Sequence, residues 1–313
     1  MSTKIVYSGG IGINIDGKWV LLDPIKMPSF KPDIIIVSHA HRDHYNIRVL
    51  NAFPNVPLIL SNETYSLIAR SNKLRSEDII KTEESYMEVN SISLEFFDAN
   101  HILGSRQILI NGEIVYTGDI CLEKRIIFKP PEILKAEILI IEATYGNPLY
   151  IFPERKILYR QLLKKVIKDY FDRGKAVVYA RSPGVAQELI KLFSKLRVSI
   201  YAHRTVYAHT QIYTENGCEI TQYKIIDSSS EEGIYIYPIW MGKNDIGNGI
   251  FVTGWAAVEK DERFIPLSSH SGLNMLLAYV NTSNPQKIYT VYGYARNFSA
   301  ILKQQGYDAE SLW

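Results

Sequence analysis

The chain has 313 residues, of which 46% are apolar and 22% charged, and its formal net charge is +2 at pH 7. That size suits one large or two interlocked domains with ample core material. So small a net charge excludes a uniformly basic or acidic surface, and no apolar run approaches the ~20 residues of a membrane span.

From the N-terminus the chain reads as short strands. KIVYSGGIGINIDGKWVLLDP gives strands around a turn at Asp16–Gly17 and ends at Asp23–Pro24. DIIIVSHA (33–40) is an unbroken apolar run, as in a strand buried on both faces. PLILS (57–61), SISLEFFDA (91–99), SRQILING (105–112) and EIVYTGD (113–119) follow, with Asn111–Gly112 as a hairpin signal between the last two. AEILIIEATYG (136–146) is another buried strand with a polar end.

The texture changes near residue 150. PERKILYRQLLKKVIKDYFDR (153–173) carries apolar pairs at helical spacing, with Pro153 suited to the first position and Gly174 to the stop. KAVVYA (175–180), a helix over about 183–196 and RVSIYA (197–202) read as a β-α-β unit. YAHRTVYAH (201–209) is a brief echo, too short for a repeat. Strands at 234–239 and 250–253 come next. After IPLSSHSG (265–272) come a helix, LNMLLAYVNT, a strand, KIYTVYG (287–293), and a last helix, RNFSAILKQQG. Cys121 and Cys218 form no spaced pair, and the sequence opens without a secretory leader, so a reducing cytoplasm is the expected compartment.

Chemistry concentrates at Ser38–Asn46, SHAHRDHYN. Of 7 histidines in the chain, three fall in this stretch with an aspartate, directly after the buried run. In an extended segment His39 and His41 point to the same side, and a turn is needed to aim Asp43 and His44. Neutral imidazoles and a carboxylate are the donors that zinc prefers. The bland alternative is a polar loop with incidental histidines; four such residues at one strand end decide for metal. His101 in DANHILGS, Asp119 in VYTGDI, His270 in PLSSHSG and Asp23 in VLLDP each sit where an apolar run stops, which is where α/β sites assemble.

The set Asp23, His39-x-His41-x-Asp43-His44, His101 and Asp119 resembles the first four motifs of the metallo-β-lactamase superfamily. LIIEATYG, with Glu142, resembles the acidic motif of the β-CASP nuclease branch. YARSPGVAQEL (179–189) is similar to a helix start in the domain inserted in that branch, and SSHSG resembles its motif B, with His270 as the histidine. The C-terminal stretch is similar to that of ligase-associated DNA exonucleases, also labelled mRNA 3′-end processing factors. One position departs: where many relatives carry a further histidine ligand, TVYGYARN carries Tyr292, and Artemis-type DNA nucleases lack that histidine too.

The resemblance implies an α/β fold: a four-layer αββα sandwich over 1–149 and 263–313, with an inserted β-CASP α/β domain at 150–262. It assigns one zinc to His39, His41 and His101 with Asp119 bridging, and a second, weakly held or missing, to Asp43, His44 and Asp119; manganese is an alternative ion. Asp43, Glu142 and His270 are the catalytic candidates, with Glu142 holding His270 protonated. Asp23 orients a ligand, and Tyr292 stands beside the metals. Ser182 and Gly184, in a turn opening a helix, are candidate phosphate contacts. Arg155, Lys156, Arg160, Lys164, Lys165, Lys168 and Arg173 offer either a nucleic-acid contact or, with more weight, a solvated face. His203 and His209 read as loop or packing residues, with a substrate contact as the lesser alternative.

The function so implied is a nuclease using a zinc-activated hydroxide, an exonuclease on single-stranded DNA in repair or processing. The alternatives are an RNA nuclease, in 5′-end trimming or 3′-end processing, and a small-molecule hydrolase such as a lactonase or thioesterase. An inactive binding subunit is disfavoured by the intact ligand set. The expected partner is nucleic acid, with no membrane.

Overall fold

The computed structural model describes residues 3–82, 85–227, 232–244 and 249–313. Internal packing divides the chain into two units. Met1–Cys121, Pro131–Asn147 and Asn274–Trp313 form the first; Leu122–Pro130 and Pro148–Leu273 form the second.

The first unit holds two sheets. One runs in chain order: Thr3–Tyr7, Ile11–Ile15, Lys18–Leu22, Ile34–Ile36, Leu58–Ser61, Ile79–Thr82. Its hairpin closes at Asp16 and Gly17, with φ of 48° and 92°. Two left-handed residues match the twist of the flanking strands, which is why Asp-Gly favours this turn. The other sheet has the order Ala309–Ser311, Lys287–Val291, Ile138–Glu142, Ile114–Tyr116, Arg106–Ile110, Ile92–Asp98, Tyr86–Val89. It is parallel at the first end and antiparallel at the second. Asn111 and Gly112, with φ of 50° and 69°, close its expected hairpin.

Ile11, Ile13, Val20, Leu22, Ile34, Ile36 and Ile59 of the first sheet share one buried core with Leu94, Phe96, Ile108, Ile110, Tyr116 and Ile140 of the second. Alternate residues of each strand face this layer, so burial of that apolar surface drives the two sheets together. Helix Asn62–Ala69 packs on the outside of the first sheet and Ala295–Gln304 on the outside of the second. The sequence reading assigned nothing to 62–69. Its signals are there: Ser61 caps the helix by accepting from the Thr64 N–H at 3.0 Å, and Glu63 sits in the first turn.

The second unit is built on an all-parallel sheet in the order Tyr223–Ile225, Ile200–Ala202, Gly233–Pro238, Lys175–Ala180, Ile250–Val252, Phe264–Ile265. The strands of the expected β-α-β unit do not pair directly, because Gly233–Pro238 lies between them. Helix Arg155–Arg173 starts two residues after Pro153 and ends at Gly174, whose φ of 70° suits a glycine stop. The echo at 201–209 is mostly helix: Arg204–Glu215 begins there, capped by His203. No helix among the described residues is long and apolar enough to cross a membrane.

Candidate metal centre

Four strand ends of the first unit bring the ligands together. The ladder of the 33–40 run stops at Ile36, and Val37–His41 continues as buried irregular chain that aims His39 and His41. His101 follows Asp98 after Asn100, whose φ is 56° and whose side-chain amide donates to the Cys121 carbonyl at 2.6 Å. Asp119 follows Gly118, whose φ is 54°. A Cβ on Gly118 would lie 3.0 Å from Ser38 Cβ and 3.1 Å from the Arg106 carbonyl, so only glycine fits there. Asp23 and Tyr292, with φ of 47° and 63°, are also left-handed. Such strain at non-glycine residues persists where the surroundings fix it, and it gathers at functional sites.

His39 Nε2 lies 3.2 Å from His41 Nδ1, and His101 Nε2 lies 2.9 Å from that same nitrogen. Asp119 Oδ2 stands 3.4 Å from both His39 Nε2 and His101 Nε2, and 3.2 Å from His44 Nε2. All five residues are buried. Burial works against charge on His44, but Asp119 and Asp23 together outweigh it and push its pKa well above the usual histidine value.

Asp23 organises the set from behind. Its carboxylate accepts from the Ser38 N–H at 2.7 Å, the Ser38 hydroxyl at 2.6 Å, the Tyr116 hydroxyl at 2.6 Å and His44 Nδ1 at 2.7 Å. Because the Ser38 hydroxyl gives its proton to Asp23, it can only accept from His39 Nδ1, 3.0 Å away. Both contacts place a ring proton on Nδ1, so in the neutral rings of His39 and His44 the nitrogen facing Asp119, Nε2, carries the lone pair. Metal-binding histidines are held in this manner.

A divalent ion suits the donor set. Tetrahedral ligands about 2.05 Å from zinc stand about 3.3 Å apart. His39, His41, His101 and Asp119 offer three nitrogens and one oxygen at spacings of 2.9–3.4 Å where measured, and a carboxylate among imidazoles is what a borderline-soft cation prefers. Asp23, His39 and His44 form a second group of converging donors.

The remaining sequence candidates fall as follows. Asp43 is exposed and belongs to no cluster of three or more ligand atoms among the described residues. Glu142 is fully buried; its carboxylate accepts from the Ile120 N–H at 2.8 Å and the Thr144 N–H at 3.2 Å, and an oxygen of it lies within 4.8 Å of Asp119. The Tyr292 hydroxyl is 2.8 Å from that of Tyr116, and its ring packs edge-on to His44 at 4.7 Å. Since Tyr116 donates to Asp23, Tyr292 donates to Tyr116. Burial first, then the Asp23 carboxylate, pushes both phenols well above the ordinary range.

In the second unit His270 is buried, and its N–H donates to Ser268 Oγ at 3.0 Å. Ser182 Oγ sits 3.0 Å from His209 Nδ1 and accepts from Gln187 Nε2 at 3.1 Å; the Gly184 N–H donates to Gln187 Oε1 at 2.8 Å. The groups read as phosphate donors are thus engaged within their own turn. Arg155, one of the seven basic helix residues, is not on a solvated face. It is buried and paired with Glu188 at 2.8 Å and Glu123 at 3.0 Å, and it also donates to the Ser268 carbonyl. Arg125 reaches the same Glu188 at 2.7 Å, and Tyr159 donates to it. Sequence reasoning gave no role to Ser38, Tyr116, Arg125 or Glu188, although Ser38 adjoins His39 and Glu188 lies in the YARSPGVAQEL stretch it singled out.

No family model matches the sequence. The chain is 27% identical over 295 residues to a probable DNA ligase of Opitutus terrae, covering 88% of this chain and 28% of that one. It is 31% identical over 211 residues to an RNase J-like protein of Methanocaldococcus jannaschii, covering 58% and 49%, and 29% identical over 211 residues to RNase aCSPSF2 of Saccharolobus solfataricus, covering 59% and 42%. These likenesses and the buried histidine–aspartate cluster support a resemblance to the β-CASP metallo-β-lactamase family. Its two mixed sheets are consistent with the metallo-β-lactamase sandwich, and its all-parallel third sheet is like a β-CASP insert. A solved structure, a protein of unknown function from Enterococcus faecalis, shares the chain's fold with a TM-score of 0.59 at 16% identity, covering 92% of this chain and 93% of that one. The chain spans 28% to 49% of the length of these curated relatives.

Proposed function

We propose that the protein is a zinc-dependent nuclease that hydrolyses phosphodiester bonds, acting as an exonuclease on single-stranded DNA in repair or end processing. The observation that carries this reading is the buried convergence of His39, His41 and His101 on Asp119, with Asp23 holding the His39 ring through Ser38. The substrate class is supported by relatives whose names denote a DNA ligase and RNases. The match over 88% of this chain to a probable DNA ligase favours DNA. RNA is the second reading, favoured by the ribonuclease names among the relatives.

His39, His41, His101 and Asp119 would hold the first ion. The sequence motifs assign a weaker second to Asp43, His44 and Asp119, since the Tyr292 phenol offers no imidazole; manganese is the alternative metal. When bound, such an ion would supply a Lewis acid that lowers the pKa of water toward about 7 and offsets charge on phosphoryl oxygens. Asp23 and Ser38 keep the imidazole nitrogens aimed, so no reorganisation is needed during reaction. The sequence motifs give His270 the role of proton donor to the leaving sugar oxygen and Glu142 that of its carboxylate partner.

The test is digestion of end-labelled single-stranded DNA and RNA of matched sequence, with chelator and His41→Ala controls. Metal-dependent loss of DNA label, lost with His41→Ala, supports the reading; hydrolysis of a lactone or thioester with both polymers untouched overturns it. His270→Ala should lower kcat by roughly 10²–10⁴ with substrate binding kept; unchanged turnover removes its role.

A further inference from the structure

In the second unit the parallel sheet changes its direction of growth at the Lys175–Ala180 strand. The chain leaves that strand for Ile200–Ala202 on one side, and leaves its neighbour Gly233–Pro238 for Ile250–Val252 on the other. In an open parallel sheet such a reversal opens a crevice outside the carboxyl ends of the strands, where ligands bind.

Three adjacent strands end there, and each ends in side chains with chemistry to offer. Ile200–Ala202 delivers His203. Gly233–Pro238 carries Tyr237 at its end and is followed by Trp240, in the 3-10 turn Ile239–Asn244. Lys175–Ala180 is followed by Arg181 and Ser182. The His203 ring lies 6.1 Å from that of Tyr237 and 6.3 Å from that of Trp240, perpendicular to the indole. Trp240 is 60% exposed. So large an aromatic surface left in water forgoes the stabilisation that burial would bring.

His203 adds polarity to this corner. Its Nδ1 accepts from the Thr205 N–H at 3.3 Å, which puts the ring proton on Nε2 as a donor. Partial burial and the charge of Arg204 hold its pKa below the usual value, so the ring is neutral at pH 7. An exposed indole face beside a neutral N–H donor, with the cations of Arg181 and Arg204 next to the strand ends, suits a flat heteroaromatic ring with an acceptor edge and a phosphate tether. An apolar peptide would offer the His203 N–H no acceptor.

Resting on the nuclease reading above, we infer that Trp240, with Tyr237 and His203, forms a stacking subsite for a nucleobase of the single-stranded substrate. Base stacking on an aromatic side chain is tolerant of sequence, so the subsite grips the strand without reading it.

The experiment measures fluorescence anisotropy of a labelled single-stranded DNA, and of an abasic strand of equal length and charge, with the full chain in chelator so that nothing is cut. Trp240→Ala should weaken binding of the base-bearing strand by about 5- to 150-fold and leave the abasic strand unaffected. Trp240→Phe should recover most of the loss, and His203→Gln should show a smaller, base-dependent loss. Unchanged binding by Trp240→Ala, or equal weakening on both strands, would overturn the subsite. If the unaltered protein binds and cuts single strands while Trp240→Ala binds as well, the subsite alone fails. If it neither binds nor cuts either polymer, the nuclease reading fails and takes the subsite with it.

Discussion

Asp23→Asn tests how the metal centre is held. The change keeps the side chain's shape and replaces one acceptor oxygen by a donor NH2. Asp23 Oδ2 receives three donors (the Ser38 hydroxyl, His44 Nδ1 and the Tyr116 hydroxyl), and Oδ1 receives the Ser38 N–H. With the amide oxygen at the Oδ2 position, the three donors there keep an acceptor, while the NH2 group faces the Ser38 N–H. In the flipped orientation the NH2 group faces all three. The better orientation therefore leaves one buried donor newly unmet, the Ser38 N–H, costing about 1–3 kcal/mol.

The ligands are affected as well as the fold. A neutral amide oxygen holds His44 Nδ1 and the Ser38 hydroxyl, and through Ser38 the His39 ring, less firmly than the carboxylate does. Changes behind a metal ligand typically lower affinity about 10- to 100-fold. The assay is competition for zinc against a chromophoric chelator, with urea unfolding of the metal-free protein measured beside it. Tyr116→Phe is the milder companion, removing one donor of the four for about 0.5–1.5 kcal/mol. Zinc affinity of Asp23→Asn within twofold of the unaltered protein would refute the account, because the tautomers would then be set by something other than Asp23.

Three further outcomes follow from the geometry. Gly118→Ala should cost about 1–3 kcal/mol in urea unfolding and weaken zinc binding, since the added Cβ meets Ser38 at a left-handed position; an unchanged midpoint would show that Ser38 can move. Tyr292→His should raise the tightly held metal from one equivalent to two after gel filtration, and its φ of 63° is one that histidine tolerates better than tyrosine; a single equivalent would mean that Tyr292 is not what limits the second ion. Burial alone would raise the Glu188 pKa, but Arg125 and Arg155 outweigh it and hold the carboxyl below its usual value. A depressed folded-state pKa gives stability that is complete above the unfolded value of about 4.3 and is lost as the pH falls through the folded value. Glu188→Ala should therefore cost about 3–5 kcal/mol at pH 7 and flatten the acid limb of the stability curve; an unaltered acid limb would exclude the pairing as its source.

Local chemistry made much of the molecule legible in advance. Asp16–Gly17 and Asn111–Gly112 announced hairpins because left-handed turns demand such residues, and Gly174 announced a helix end for the same reason. His39, His41 and His44 stood out because they crowd one short stretch. What stayed hidden depends on groups that meet only in three dimensions. Tyr116 lies 93 residues from the Asp23 it supports and 176 from Tyr292, and in its strand it looks like any core tyrosine. Arg155 looked like a surface charge because an amphipathic pattern sorts charge outward by default; its partners Glu188 and Glu123 come from 33 and 32 residues away.

The hidden groups share a character. Tyr116, Ser38, Arg125 and Glu188 are polar, almost wholly buried, and hydrogen-bonded to other polar groups. In a low-dielectric interior such groups are costly when unmatched and rigid when matched. Asp23 therefore does more than accept four hydrogen bonds: by using all of them it sets the orientation of His44 directly and of His39 through Ser38. That is the property a metal site needs, and a cluster of histidines in a sequence does not by itself provide it.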